Sequence, residues 1–102
     1  MAEYIRLYQS AVDPSDVDEI HRLFVDEVVP VFIEAPGCLG MELVVSVEPN
    51  AGGLVEGAAL SRWSSLDDMA AALESRRVRE TIVRVRELLR QEPVSKVMQV
   101  LQ

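Results

Sequence analysis

The chain has 102 residues, of which 49% are hydrophobic and only 5% aromatic, and its formal net charge is −7. This negative charge argues against a nucleic-acid-binding protein or one that binds anionic membranes, because both classes need a basic surface. The length predicts one domain, residues 1–102. Cys38 is the only cysteine, so neither an intramolecular disulfide nor a cysteine zinc site can form.

The first predicted strand covers residues 4–10, where side chains of different character alternate. One face carries Tyr4, Arg6, Tyr8 and Ser10, and the other carries Ile5, Leu7 and Gln9. The next predicted helix starts at Ser15 as N-cap, with Asp18 completing a capping box. Its buried stripe is Val17, Ile20, Phe24, Val28 and Val31. Pro30 is expected to kink this helix or to end its regular part.

The middle of the chain predicts a β-hairpin, with strands over residues 39–47 and 54–63 and a flexible loop over 49–53. Ser65 is the predicted N-cap of the following helix, and Asp68 completes its capping box. A second helical pattern has a different phase, so we expect a break near Ser75 and Arg76. Pro93 ends it, and residues 94–101 form the last predicted strand.

The predicted order is therefore β-α-β-β-α-β with the second helix split. This order is typical of an α+β, ferredoxin-like fold, in which helices cover one face of a four-stranded antiparallel sheet. The uncovered face carries apolar side chains that must be buried. Pairing of two such sheets in a homodimer would bury them.

Two short motifs resemble the antibiotic biosynthesis monooxygenase domain family. Residues 36–40, PGCLG, resemble the PGxxG turn that follows its first helix, and residues 62–68, RWSSLDD, resemble its strand-ending W-x-S-x-[DE] element. The resemblance covers roughly residues 4–101. It implies a homodimeric α/β barrel with a pocket between helices and sheet in each subunit. Family members include cofactor-free monooxygenases that oxidise polycyclic phenols to quinones, haem-degrading enzymes and autoinducer-processing proteins.

The haem-degrading members are a poor match. Counted from Trp63, their tryptophan and iron-ligating histidine fall at Ala72 and Thr81, and their strand asparagine falls at Gln9. The iron ligand is therefore lost. No second histidine and no further cysteine could complete a metal site, so we expect neither a metal nor another cofactor.

The resemblance and the periodicity together suggest four site residues. His21 falls within the buried stripe of the first helix and is the candidate catalytic base; the alternative is a buried histidine bonded to a backbone carbonyl. Trp63 is either a core residue or a catalytic residue and pocket wall that stacks on an aromatic substrate. Gln9 and Phe24 complete the predicted substrate-binding set with Trp63.

Two further patterns leave alternatives open. The run Tyr4-x-Arg6-x-Tyr8 could line a polar pocket, but we favour a subunit interface. Arg79, Arg86 and Arg90 lie on one flank of the last helix, where they could bind an anionic group or an acidic partner; a solvated face is the more common role of such a cluster. No secretory signal pattern opens the chain, so a reducing cytoplasm is the expected compartment.

Three functional hypotheses follow. The first is a cofactor-independent monooxygenase acting on a small aromatic or phenolic compound, as the resemblance implies. The second is a non-catalytic dimeric barrel that binds a small apolar ligand. The third is an assembly role in which the arginine flank recruits an acidic protein partner.

Overall fold

The computed structural model describes residues 3–102, so the first two residues of the predicted domain lie outside the described part. Its four strands are β1 (Glu3–Val12), β2 (Cys38–Val45), β3 (Val55–Trp63) and β4 (Val94–Val100). They form one antiparallel sheet in the order β2-β3-β1-β4. The predicted α+β, ferredoxin-like fold with a four-stranded antiparallel sheet is confirmed.

Two helical runs cover one face of this sheet. The first consists of α1 (Val17–Leu23), a π-helical turn (Phe24–Val28) and α2 (Val29–Ile33). The second consists of α3 (Leu66–Glu74) and α4 (Arg76–Arg86). Ser75 separates α3 from α4 in an extended conformation, and its hydroxyl accepts a hydrogen bond from the Val78 amide. The predicted split of the second helix is confirmed.

The helix caps agree with the sequence only in part. Ser65 caps α3 as predicted, because its hydroxyl accepts a hydrogen bond from the Asp68 amide at 3.1 Å. The predicted Ser15 cap is wrong. The Asp13 carboxylate accepts from the Ser15 amide instead, and a 3-10 turn (Pro14–Asp16) precedes α1. A carboxylate before a proline satisfies the exposed amides of the first turn equally well.

The first helical run changes its winding before Pro30. The Val29 amide donates to the Phe24 carbonyl, five residues back, instead of the usual four. Pro30 has no amide hydrogen with which to continue the α-helical pattern, so the preceding turn widens into a π-helical one. The irregularity predicted from Pro30 is present, and it places Phe24 and Val28 on the sheet side of the run, where both are buried.

The core between sheet and helices is centred on Trp63, which has no exposed surface. Its indole nitrogen donates a 2.8 Å hydrogen bond to the Ser61 hydroxyl. Its ring meets Phe32 edge to face, with 6.4 Å between ring centroids. Burial of this kind, with the polar atom satisfied, is how a tryptophan stabilises a small core.

Gly37 joins the first helical run to the sheet. It adopts φ +82° and its carbonyl accepts from the Ser64 amide at 2.8 Å, which fixes the turn beside the start of α3. A side chain at Gly37 would overlap the Asp68 carboxylate. The glycine is therefore required both for its backbone conformation and for the space it leaves.

We expect Gly37→Ala to lower the free energy of unfolding more than Gly53→Ala does. Gly53 also has a left-handed φ, +81°, but nothing lies within 4 Å of its missing side chain. Both changes carry the backbone cost of about 1–2 kcal/mol, and only Gly37→Ala adds the overlap with Asp68. Urea denaturation of the two variants measures the difference. Equal losses would show that the α3 terminus moves aside freely.

The other face of the sheet, called here the open face, is not covered by any helix. Apolar side chains on this face include Ile5, Leu7, Val44, Leu60, Val94, Met98 and Val100. Val44 and Met98 are each 46% exposed, which is high for strand residues of this type. Within residues 3–102, none of the helices combines the length and the hydrophobicity that crossing a membrane would take.

Candidate functional site

A cavity of about 40 Å³ lies between the sheet and the helices. Other clefts of the described residues are larger but have more polar linings, and we call this one the main cavity because its lining is the most apolar. Its lining is almost wholly apolar and comes from the first helical run, α4 and the first three strands. Representative lining residues are Tyr8, Phe24, Leu43, Ala59, Val85 and Leu89. Such an apolar cleft with very few polar atoms is the usual form of a small-molecule site.

A smaller side cavity of about 20 Å³ adjoins the main one. The two share Tyr8, Phe24, Ala59 and Val85, and the side cavity adds Arg6 and Met41 among others. We call the two together the sheet–helix cavity. Ala59 is the smallest side chain common to both linings, so a larger side chain at this point of β3 would occupy space beside both halves.

Arg6 and Tyr8 supply the polar chemistry of the sheet–helix cavity. The Arg6 guanidinium carbon lies 5.2 Å from the centroid of the Tyr8 ring, a cation–π contact. Burial lowers the pKa of Arg6 from its ordinary value, although an arginine remains charged at neutral pH. The Tyr8 hydroxyl is buried and makes no hydrogen bond within the described residues.

The helix-covered face of β1 is therefore the face of Tyr4, Arg6 and Tyr8. Tyr4 and Tyr8 pack against the core beneath the helices. For this run the structure favours the pocket alternative over the subunit interface that we favoured from the sequence. Strand alternation separates the two faces of β1 correctly, but it does not say which face the helices cover.

The predicted site residues do not come together. Phe24 is 4% exposed and lines the sheet–helix cavity as predicted for a substrate-binding residue. Trp63 lies deeper in the core and belongs to neither cavity lining. Its position agrees with the core alternative. A stacking role at a substrate would need a contact with the cavity that Trp63 does not have in this structure.

Gln9 lies on the open face, whereas Phe24 packs on the opposite, helix-covered side of the sheet.

His21 is exposed on α1, so the expectation that it points inward is wrong. The buried side of this helical run carries Ile20, Phe24 and Val28. The prediction assumed a uniform rotation of 100° per residue, which placed His21 on the same side. The π-helical turn rotates Val28 away from the position that this spacing assumes. Nothing in the position of His21 supports a catalytic role, which stays a prediction.

The arginine-rich segment 76–90 is largely neutralised within the chain. Arg76 pairs with Glu80, Arg77 with Glu34, Arg84 with Glu27 and Arg86 with Glu92, at distances of 2.9–3.0 Å. Exposed pairs of this kind contribute little stability, but they offset the local positive charge. Of the predicted cluster Arg79, Arg86 and Arg90, only Arg86 has such a partner, but all three side chains are exposed, which favours the solvated-face interpretation.

Within residues 3–102, no three histidine, cysteine, aspartate or glutamate side chains come together in a way that could hold a metal ion. Cys38 is partly buried at the start of β2, and burial raises the pKa of its thiol. A thiol with a raised pKa is a poor nucleophile at neutral pH, so a structural role fits Cys38.

Comparison with known proteins shows likeness in fold and little in sequence. No family model matches the chain, and no curated protein matches it. Among solved structures, a Caulobacter crescentus protein provisionally named an antibiotic biosynthesis monooxygenase superposes with a TM-score of 0.78 at 18% identity, over 99% of this chain and 92% of the other. A Bordetella bronchiseptica protein with the same provisional name gives 0.78 at 18% identity over 100% of both chains.

A third similar structure is SnoaB from Streptomyces nogalater, described as a cofactor-independent oxygenase. It gives a TM-score of 0.70 at 17% identity, over 98% of this chain and 92% of SnoaB. Identities this low establish the fold and do not transfer an activity. The chain thus has the fold of the antibiotic biosynthesis monooxygenase structures, and the family resemblance drawn from its two motifs is confirmed at that level.

Proposed function

We propose that this protein is a cofactor-independent monooxygenase that oxidises a small aromatic or phenolic compound with O₂. The observation that supports this most is the apolar sheet–helix cavity, with Arg6 and Tyr8 at its polar end, in a fold shared with a cofactor-independent oxygenase. In the proposed reaction a phenol becomes a quinone. One oxygen atom enters the ring as the new carbonyl, the other leaves as water, and the substrate supplies the electrons.

The size of the cavity limits how a substrate enters. The main cavity, at about 40 Å³, accommodates only a few water molecules, whereas an apolar cavity that binds benzene is on the order of 150 Å³. Substrate binding therefore requires the roof of the cavity to move outward. Phe24 and Val28, in the π-helical turn, form part of that roof. Single π-helical turns are frequently found at functional sites, and we expect this part of the roof to move.

A homodimer is the second part of the proposal. The open face presents a sheet of partly exposed apolar side chains, and a second copy of this chain would bury them by packing sheet against sheet. The face also carries an ion-pair group, in which Arg62 lies 3.3 Å from Glu3 and 3.8 Å from Glu42. In a symmetric dimer this group would lie at the rim of the shared surface.

One observation favours the alternative of a non-catalytic ligand-binding barrel. The residues that line the sheet–helix cavity include no aspartate, glutamate or histidine that could take a proton from a phenol. A protein that only binds its ligand would need no such group. The two candidates are distinguished by whether oxygen is consumed when the ligand binds.

Oxygen consumption by the purified protein with anthrones and hydroquinones tests the proposal. Ala59→Leu should fill the point shared by both halves of the cavity and lower oxygen uptake at least tenfold. Ala72→Leu is the control, because Ala72 is equally buried, 5% against 6% for Ala59, but lies outside both cavity linings. Both variants carry a similar overpacking cost, about 1–3 kcal/mol.

Equal loss of uptake in Ala59→Leu and Ala72→Leu would contradict the placement of the site. Saturable binding of the same compounds without oxygen uptake would favour the non-catalytic alternative. His21→Ala belongs in the same series, and because His21 is exposed we expect it to retain the uptake of the unsubstituted protein.

A further inference from the structure

Arg6 is a half-buried cation without an acidic partner. No carboxylate lies within ion-pair distance of its guanidinium among the described residues, and its one side-chain hydrogen bond is a 3.3 Å contact with the Ser95 hydroxyl. Arg62, the other half-buried arginine of the sheet, has two acidic neighbours. A partly desolvated charge without a counterion is costly, so an anionic group bound beside Arg6 would be stabilised by it.

The Tyr8 hydroxyl is the second unsatisfied group, and it lies beside Arg6 on the same face of β1. The Arg86 guanidinium, which the Glu92 carboxylate holds at 3.0 Å, also lies near the Tyr8 oxygen. A guanidinium has only donor groups, so the Tyr8 O–H still has no acceptor. Buried hydroxyl groups nearly always have a hydrogen-bond partner. A donor without a partner, next to a cation without a counterion, matches the needs of an anionic oxygen.

The nature of that anion follows from the rest of the lining. The sheet–helix cavity carries no acidic, histidine or lysine side chain, so nothing described there could ionise a neutral ligand by taking its proton. A carboxylate is already ionised at neutral pH, whereas a phenol is not. Guanidinium also binds carboxylates well, because its planar N–H groups match the two oxygens.

We propose that Arg6 and Tyr8 form an anion-binding pair, and that the ligand of the sheet–helix cavity is a small hydroxyaromatic carboxylate. The carboxylate accepts from the Arg6 guanidinium and the Tyr8 hydroxyl. The ring extends along the apolar lining beneath Phe24 and beside Val85. Where this ligand is taken to be the substrate, the inference rests on the proposed function. The binding of the ligand by Arg6 and Tyr8 does not depend on that function.

The test measures binding with two probes of nearly the same shape, 3-hydroxybenzoate and 3-hydroxybenzamide, by isothermal titration calorimetry. The unsubstituted protein should bind the acid at least tenfold more tightly than the neutral amide. Arg6→Gln should weaken binding of the acid about 10- to 100-fold, which is the range expected for a charge-assisted hydrogen bond. The affinity of this variant for the amide should stay within about twofold of the unsubstituted protein's. Tyr8→Phe should weaken binding of the acid about 2- to 10-fold.

Arg79→Gln is the charge-matched control, because Arg79 is exposed on α4 and lies outside both cavity linings. It should change neither affinity. Circular dichroism melting establishes that each variant is folded. If Arg6→Gln does not fold, Arg6→Lys and the acid-to-amide ratio of the unsubstituted protein decide the question.

Equal affinity of the unsubstituted protein for acid and amide would overturn the inference. An equal loss of affinity for both probes in Arg6→Gln would also overturn it. Selective acid binding without oxygen consumption would leave the inference intact and contradict the proposed oxygenase activity. Oxygen consumption with neutral phenols and no preference for the acid would support the oxygenase activity and overturn the inference.

Discussion

Replacing Trp63 with alanine is expected to lower the free energy of unfolding by about 3–5 kcal/mol. A domain of this size is stable by only about 5–15 kcal/mol, so the variant should be close to unfolding at 37 °C. The reason is that Trp63 has no exposed surface and fills the space between Phe32 and the sheet. Chemical denaturation followed by circular dichroism measures the loss.

Trp63→Phe separates the two contributions of this side chain. The phenyl ring keeps much of the packing but leaves the buried Ser61 hydroxyl without its indole partner. Leaving such a group unpaired costs about 1–3 kcal/mol, and the double variant Trp63→Phe with Ser61→Ala should recover part of that loss. A Trp63→Ala protein of nearly unchanged stability that no longer binds any cavity ligand would show that Trp63 is a pocket wall.

Leu60→Glu is expected to convert the proposed homodimer into a monomer. Leu60 sits in the middle of the open face, between Leu7 on β1 and Glu42 on β2. In the isolated chain a glutamate there reaches water. In a sheet-to-sheet dimer it would be buried without a partner and beside another acid, which should weaken association on the order of 100-fold or more.

Sedimentation equilibrium of the purified protein tests this expectation. Val83→Glu is the matched control, since Val83 is 58% exposed on α4, away from the open face, and should leave the dimer intact. A monomeric unsubstituted protein would contradict the dimer directly. An unchanged dimer in Leu60→Glu would place the interface on another surface.

Most of the fold could be predicted because its signals are local. Alternation along β1 and β2, the Ser65 cap and the phase change at Ser75 each depend on neighbouring residues only. The His21 prediction failed because it depends on the winding of a whole helical run. A 3-10 turn before α1 and the π-helical turn after Leu23 make the uniform 100° spacing inapplicable.

The candidate site was harder to predict because it depends on which face of the sheet the helices cover. The sequence marks Arg6 and Tyr8 as neighbours on one face and Gln9 as a member of the other, but both faces carry apolar side chains. Tertiary packing, which the alternation does not encode, puts Arg6 and Tyr8 under the helices and Gln9 on the open face. Ala59 has no chemical signature at all, and its importance lies in the space it leaves.

If the sheet–helix cavity is the ligand site, a bound ligand must lie within it, and its position can be measured. Intermolecular nuclear Overhauser effects can be recorded between 3-hydroxybenzoate and the methyl groups of the isotopically labelled protein. We expect contacts from the ring to Ala59 and Val85, which both line the cavity. Contacts confined to Leu7 and Leu60, on the open face, would contradict it.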